Sequence, residues 1–146
     1  MLAGEKIENP LLMQLVPFIP DGALAGGVVC YNQDGVDMSK CDMVASPIAG
    51  CECAIRVTGD SMEPLFPNGS TLFIKQIDSS YIAWHNPFVI ATTNGFFVKR
   101  IDEVKGDASK ILAVSENPKY PPFEIPTDAI YGIYRIILQS KSYSAQ

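Results

Sequence analysis

The chain has 146 residues, of which 47% are hydrophobic and 18% are charged, with a formal net charge of −5. This length and hydrophobic content predict one domain with a packed core and exclude a disordered tail. With 11 basic residues against 16 acidic ones and no basic stripe, the charge argues against direct nucleic-acid binding. No apolar run approaches the length of a membrane span, and nothing resembles a signal peptide, so we expect a cytoplasmic protein without membrane contact.

The N-terminal third combines an arm, a short strand and a loop. Residues 1–15 are expected to form a linker or arm, followed by a single domain over residues 16–146. Leu15–Ile19 predicts a strand, and Pro17 within it and Pro20 after it favour an edge or extended position. The small residues of Asp21–Gly27 predict a flexible loop, and Asp34–Asp42 predicts a short helix or turn.

The rest of the chain reads as short strands separated by turns. Thr93-Asn94-Gly95 predicts a hairpin turn between two apolar runs. Trp84, in a loop or strand over Ser79–His85, is expected to fill the core. Few helix signals occur, and the fold is therefore predicted to be mainly β. The predicted strands are Cys51–Val57, Thr71–Ile77, Pro87–Thr92, Gly95–Ile101, Ile111–Val114 and Ala129–Leu138.

One turn carries residues of the kind found in catalytic or ligand-binding sites. It reads G-D-S-M-E-P over residues 59–64, followed by Pro67-Asn68-Gly69. A glycine two residues before Ser61 and a proline three residues after it allow neither a continuing strand nor a long helix, and they let backbone approach a ligand closely. These residues also form ordinary surface turns, which is the alternative. Met62 is expected to pack in the core beneath the turn.

Lys99 gives this turn a chemical partner. In the strand Gly95–Ile101, alternation places Lys99 on the face of Phe97 and opposite to Phe96 and Arg100. A lysine desolvated by an aromatic neighbour loses its proton more readily and can act as a general base. A serine with a neutral lysine is a nucleophile pair that needs neither His nor Asp. Arg100 is expected to pair with a carboxylate instead.

Together these motifs resemble the LexA-like serine peptidase family, which comprises the C-terminal domains of LexA and many phage repressors, and the UmuD proteins. The resemblance rests on G-D-S-M-E-P and on F-V-K-R-I around Lys99, 38 residues after Ser61. Ala25-Gly26, with Ala25 36 residues before Ser61, resembles the self-cleavage site of the family. Residues 115–120, S-E-N-P-K-Y, resemble a late family segment. The resemblance covers about residues 16–138 and implies a compact domain of twisted antiparallel sheets, as in signal peptidases.

The resemblance implies roles for these residues. Ser61 would attack the Ala25 carbonyl, Lys99 would move the proton to Gly26, and the backbone N–H groups of Ser61 and Met62 would stabilise the oxyanion. No cofactor is needed. It also implies a homodimer, for which the exposed face of the apolar run Ile130–Leu138 is a candidate interface, and activation by a RecA filament. DNA would be bound only through a helix-turn-helix domain, which is not visible in this sequence.

Several alternatives stay open. Ala3-Gly4 and Ala49-Gly50 compete with Ala25-Gly26 as the cleaved bond, and residues 21–27 would also serve as a plain loop. The chain is either a self-cleaving repressor domain, a UmuD-like protein, a non-cleaving dimerisation module of the same fold, or a signal-peptidase-like enzyme acting on other chains. The four cysteines, Cys30, Cys41, Cys51 and Cys53, lack the spacing of a zinc site, so we expect free thiols and no metal.

Overall fold

A computed structural model describes residues 14–19, 31–32, 35–36 and 42–141. Within these ranges the chain forms eleven strands and two single-turn 3₁₀ helices, Ser79–Tyr81 and Thr127–Ala129. The competing Ala3-Gly4 bond, the Ala25-Gly26 bond, Cys30 and Cys41 lie outside the described residues. The strands are β1 (Gln14–Ile19), β2 (Tyr31–Asn32), β3 (Gly35–Val36), β4 (Asp42–Ser46), β5 (Cys53–Arg56), β6 (Thr71–Ile77), β7 (Pro87–Thr92), β8 (Gly95–Glu103), β9 (Lys110–Val114), β10 (Phe123–Pro126) and β11 (Ile130–Ser140).

Nine strands form one sheet in the order β10-β9-β8-β7-β11-β6-β5-β1-β4, and β2 pairs with β3 separately. The mainly-β prediction is confirmed. Neighbouring strands in the large sheet run antiparallel except β1 and β5, which are parallel, so the sheet is mixed instead of purely antiparallel.

One prediction about strand position is wrong. Leu15–Ile19 does form a strand, but β1 lies between β4 and β5 and is not at an edge. Pro17 registers with Met43 of β4 and lies outside the stretch of β1 that registers with β5, which is limited to Phe18 and Ile19. β11, which contains the candidate interface run Ile130–Leu138, is flanked by β7 and β6 in the middle of the sheet.

The core consists of buried clusters on either side of this sheet. Phe96 and Val98 pack against one cluster, and Phe97 packs against another that contains Ile101. This separation confirms the alternation predicted for β8. Trp84 is 40% exposed, so its predicted core position is wrong. It lies in an irregular segment before β7, where the neighbouring residues are exposed as well.

Candidate active site

A loop of fourteen residues between β5 and β6 carries Ser61. Its base is closed by the Val57 N–H, which donates to the Ser70 carbonyl, and by the Gly69 N–H, which donates to the Val57 carbonyl, both at 2.8 Å. The Gly59 N–H donates to Oδ1 of Asn68 at 2.8 Å. Gly59 has a φ of +86°, a conformation that side-chain-bearing residues rarely adopt. The sequence G-D-S therefore reverses the chain where a strand would otherwise continue.

Apolar side chains fix this loop to the core. Met62 is 1% exposed and Phe66 is 6% exposed, and both belong to the cluster that includes Leu72 and Tyr134. The Phe66 N–H also donates to the Met62 carbonyl at 2.8 Å. The predicted core position of Met62 is confirmed. Its buried side chain anchors the turn directly after Ser61.

The structure brings Ser61 and Lys99 together. Nζ of Lys99 lies 2.8 Å from Oγ of Ser61, a hydrogen bond between residues 38 positions apart in sequence. Lys99 lies on β8, whereas Ser61 belongs to the loop between β5 and β6. Three strands, β7, β11 and β6, separate β8 from β5 in the sheet. The contact therefore depends on the loop reaching across the sheet.

Lys99 is a buried amine with no carboxylate partner among the residues that the structure describes. Its side chain lies opposite Phe88 of β7, and the residue is only 8% exposed. Burial lowers the pKa of the Lys99 amine below its ordinary value, and within the described part of the chain no acidic group acts in the opposite direction. A lowered pKa enlarges the neutral fraction that can accept a proton from the Ser61 hydroxyl.

The neighbouring residue behaves as predicted. Nε of Arg100 donates to Oε1 of Glu116 at 2.7 Å, and Nη1 of Arg100 donates to the His85 carbonyl at the same distance. Arg100 thus pairs with the carboxylate of Glu116, as predicted.

Two backbone donors lie at and beside Ser61. Among the described residues, neither the Ser61 N–H nor the Met62 N–H donates to a protein acceptor, whereas the next N–H, of Glu63, donates to the Asp60 carbonyl at 3.1 Å. These are the two groups predicted to bind an oxyanion. Free N–H groups at a sharp turn suit that task.

Sequence reasoning gave no role to the segment that lies against this turn. Asn117 and Tyr120, both in the S-E-N-P-K-Y segment, hydrogen-bond to residues 60 and 61. The Asp60 carboxylate accepts the Tyr120 hydroxyl hydrogen. The segment's resemblance to a family motif was the one signal that could have pointed to this contact.

The competing Ala49-Gly50 bond lies on the wrong side of β5. Both residues are exposed in a turn that precedes the strand, whereas Ser61 follows it. A four-residue strand separates the two ends by about 13 Å. This bond is therefore remote from the Ser61–Lys99 pair.

The cysteines in the described part of the chain are buried free thiols. Cys51 and Cys53 are 2% and 1% exposed. Burial raises the pKa of the Cys51 thiol, and it raises that of Cys53 to about 12. Both are therefore unreactive in the folded protein. Within the described ranges, no group of three or more His, Cys, Asp or Glu residues is arranged to hold a metal ion.

A comparison with protein-family models decides the family. The model described as Peptidase S24-like matches residues 17–135. The chain belongs to the Peptidase S24-like family. The match spans both Ser61 and Lys99, and the resemblance noted from the motifs is confirmed. A search of curated proteins found no match to this Peptidase S24-like chain. Over the residues that the structure describes, no helix is long and apolar enough to cross a membrane.

Proposed function

We propose that this chain is the self-cleaving C-terminal domain of a LexA- or phage-type transcriptional repressor, with Ser61 as nucleophile and Lys99 as general base. The observation that carries the proposal is the 2.8 Å contact between Ser61 Oγ and Lys99 Nζ, made by a lysine that is 8% exposed. A buried lysine that has no carboxylate partner in the described ranges, and that lies within reach of a serine hydroxyl, suits base chemistry better than structural support.

The proposed reaction has two halves. The Ser61 hydroxyl gives its proton to neutral Lys99 as Oγ bonds to the carbonyl carbon of Ala25, and the N–H groups of Ser61 and Met62 stabilise the oxyanion. The C–N bond to Gly26 then breaks as Lys99 returns the proton to the leaving amine. A water molecule, deprotonated by Lys99, attacks the resulting ester and releases free Ser61.

The register of β1 and β5 supports cleavage within one chain. Ile19 pairs with Ile55 in a parallel register, and the two strands run toward the same end of the sheet. Ala25 follows Ile19 by six residues, and Ser61 follows Ile55 by six residues. The segment from β1 to Ala25 therefore has the same number of residues as the segment from β5 to Ser61. A scissile bond tethered in this way needs no binding step of its own.

Intact mass measurement tests the proposed bond. After incubation at about pH 10, where more Lys99 is neutral, we expect a fragment beginning at Gly26 that is scarce at neutral pH. Ser61→Ala and Lys99→Met should give no fragment, while Lys75→Met, which removes an exposed lysine on β6, should cleave as the unmodified chain does. A fragment from Ser61→Ala would disprove the nucleophile, and a different new N-terminus would move the scissile bond.

A dilution series separates cleavage within one chain from cleavage between chains. Because the bond and the nucleophile share one chain, the half-time should stay constant on dilution. A half-time that lengthens in proportion to dilution would indicate an enzyme that acts on other chains. Absence of cleavage at every pH would favour the non-cleaving module of the same fold.

We also propose the assembly and partners that accompany this function in LexA-like proteins. A homodimer through the partly exposed residues Ile136, Ile137 and Leu138 of β11 is supported by their apolar character. Sedimentation at high micromolar concentration should give twice the chain mass, and a single-chain mass would contradict it. DNA contact would come from a separate helix-turn-helix domain and activation from a RecA-type filament. The free thiols of Cys51 and Cys53 fit a cytoplasmic location.

A further inference from the structure

The segment that follows β9 is bonded directly to the Ser61 turn. The Asn117 N–H donates to the Ser61 carbonyl at 2.9 Å, and Nδ2 of Asn117 donates to the Asp60 carbonyl at 3.2 Å. The Glu116 N–H lies 3.3 Å from Sδ of Met62. Three consecutive residues of the turn, 60 to 62, therefore each accept a hydrogen bond from this segment.

A side-chain pair adds to these backbone contacts. The Tyr120 hydroxyl donates to Oδ1 of Asp60, and Nζ of Lys119 lies 3.8 Å from Oδ2 of the same carboxylate. The segment is ordered internally as well, because the Tyr120 N–H donates to the Asn117 carbonyl at 3.1 Å and the Lys119 N–H donates to Oδ1 of Asn117 at 3.0 Å. It meets the turn as a small preformed unit.

The position of this segment beside the sheet indicates its role. The loop that carries Ser61 is closed at its base beside β5 and β6, whereas Lys99 lies on β8. From β6 to β8 is three strand spacings, or about 14 Å. The Asn117–Tyr120 segment follows β9, the strand next to β8, so it holds the far end of the loop on the Lys99 side.

We propose that Asn117–Tyr120 is a clamp that positions Ser61 against Lys99, and that the Tyr120–Asp60 hydrogen bond is the part of the clamp that opens when Tyr120 ionises. The inference rests on the proposed function, because positioning matters only if Ser61 reacts. Tyr120 is a positioning residue in this scheme. It acts through Asp60 and the turn and touches no reacting atom.

The ionisation of Tyr120 and of Lys99 determines how cleavage would depend on pH. The Asp60 carboxylate accepts the Tyr120 hydrogen and thereby raises the pKa of Tyr120, while burial lowers the pKa of Lys99. The Lys119 ammonium, 3.8 Å from Asp60 and 5.9 Å from the Tyr120 ring centroid, is the other charge that faces the pair. The two shifts are opposite, and both favour a pH range in which Lys99 is neutral while Tyr120 still donates.

The expected signature is a cleavage rate that rises and then falls with pH. The rise follows deprotonation of Lys99 through its lowered pKa. The fall follows deprotonation of Tyr120 through its raised pKa, because a tyrosinate has no proton to donate and repels the Asp60 carboxylate. Rates bounded by one base and one acid give such bell-shaped profiles.

Substitutions at the pair test the clamp. Tyr120→Phe should lower the cleavage rate in the window about tenfold, because it removes a hydrogen bond to a charged group, and should abolish the falling limb. Asp60→Ala should lower the rate to a similar extent. Asp60→Asn keeps an acceptor and should retain most of the rate, but its falling limb should begin at lower pH because the charge that raises the Tyr120 pKa is gone.

Matched controls separate the clamp from general alkaline damage. Tyr81→Phe removes another tyrosine, 77% exposed in the 3₁₀ helix before β7, and should keep the falling limb. Lys119→Met should also keep it, since the donor and acceptor remain. The double variant Tyr120→Phe with Asp60→Ala should be no slower than either single variant, as expected for two ends of one interaction. A falling limb that persists in Tyr120→Phe would overturn the proposal.

A second readout separates failure of the clamp from failure of the proposed function. A fluorophosphonate probe reports Ser61 directly, because Oγ bonds to phosphorus as fluoride leaves and the added mass is measured. If the unmodified chain neither cleaves nor labels, the proposed function fails and the clamp fails with it. If the unmodified chain reacts and Tyr120→Phe reacts equally fast with the same pH profile, only the clamp is overturned.

Discussion

Lys99 is the residue at which stability and the proposed activity oppose each other. This ammonium is 8% exposed and has no carboxylate partner in the part of the chain that the structure describes, so it loses much of its hydration on folding. The hydrogen bond to Ser61 replaces one water contact, whereas an ammonium has three hydrogens to donate. Burying the charged amine therefore lowers the free energy of unfolding at neutral pH. The same burial lowers the pKa of Lys99, which a general base needs.

This loss of stability is measurable as a gain in stability when the charge is removed. In a Ser61→Ala background, which prevents cleavage, Lys99→Met should raise the free energy of unfolding at pH 7, as followed by urea denaturation. Since the folded-state pKa of Lys99 is lowered, the unfolded chain binds more protons between that pKa and about 10.4, and stability rises with pH in this window. The advantage of Lys99→Met should shrink accordingly. Lys75→Met, at an exposed site, should show no such trend.

Individual residues were predictable where the information is local. Alternation along β8 was enough to separate Lys99 from Arg100, and the G-D-S-M sequence was enough to locate the turn and bury Met62. The Asp60–Tyr120 contact spans 60 positions and depends on how β9 returns past β8, so no local pattern encodes it. Trp84 was misjudged because its size favours burial in general, while its own segment is irregular and exposed.

At the scale of elements, the loop between β5 and β6 depends on one backbone conformation. Gly59 has a φ of +86° and open space where a Cβ would stand, so an alanine there would be strained by backbone conformation alone. Gly59→Ala should lower the free energy of unfolding by about 1–2 kcal/mol and slow cleavage as well.

Gly106 supplies the matched control for this prediction. It has a φ of +79°, equally open space, and lies in the turn between β8 and β9. Gly106→Ala should destabilise the fold to a similar extent in urea denaturation while leaving the cleavage rate of the remaining folded protein unchanged. Equal losses of cleavage in both variants would show that the loop conformation has no special role.

The strands that could be predicted from the sequence are those with a clear apolar pattern. Thr71–Ile77 and Pro87–Thr92 have the same bounds in the structure as in the prediction, because apolar runs with clear turn residues mark both ends. β4 and β10 were not predicted, since both are short and largely exposed and β10 ends at Pro126. Such edge strands owe their form to the neighbour they pair with, which sequence alone does not reveal.

At the scale of the whole molecule, β11 holds the two halves of the sheet together. Ile133 pairs with Ile90 of β7 on one side and with Ile77 of β6 on the other, and it is 4% exposed. Ile133→Ala should lower the free energy of unfolding by about 2–5 kcal/mol through lost burial and the cavity left behind. Arg135→Ala, at an exposed position of the same strand, should change it by less than about 0.5 kcal/mol.

The position of β1 determines what a cut chain would become. β1 belongs to the N-terminal product of any cut at Ala25-Gly26, yet it is seated between β4 and β5, which belong to the C-terminal product. The two products would remain as a nicked heterodimer that shares one sheet, with a new terminus on each piece. Native mass spectrometry should find them together, and denaturant should part them. Severing the bond and releasing the amino-terminal piece are then two separate events, and the second requires a strand to be drawn out of the sheet.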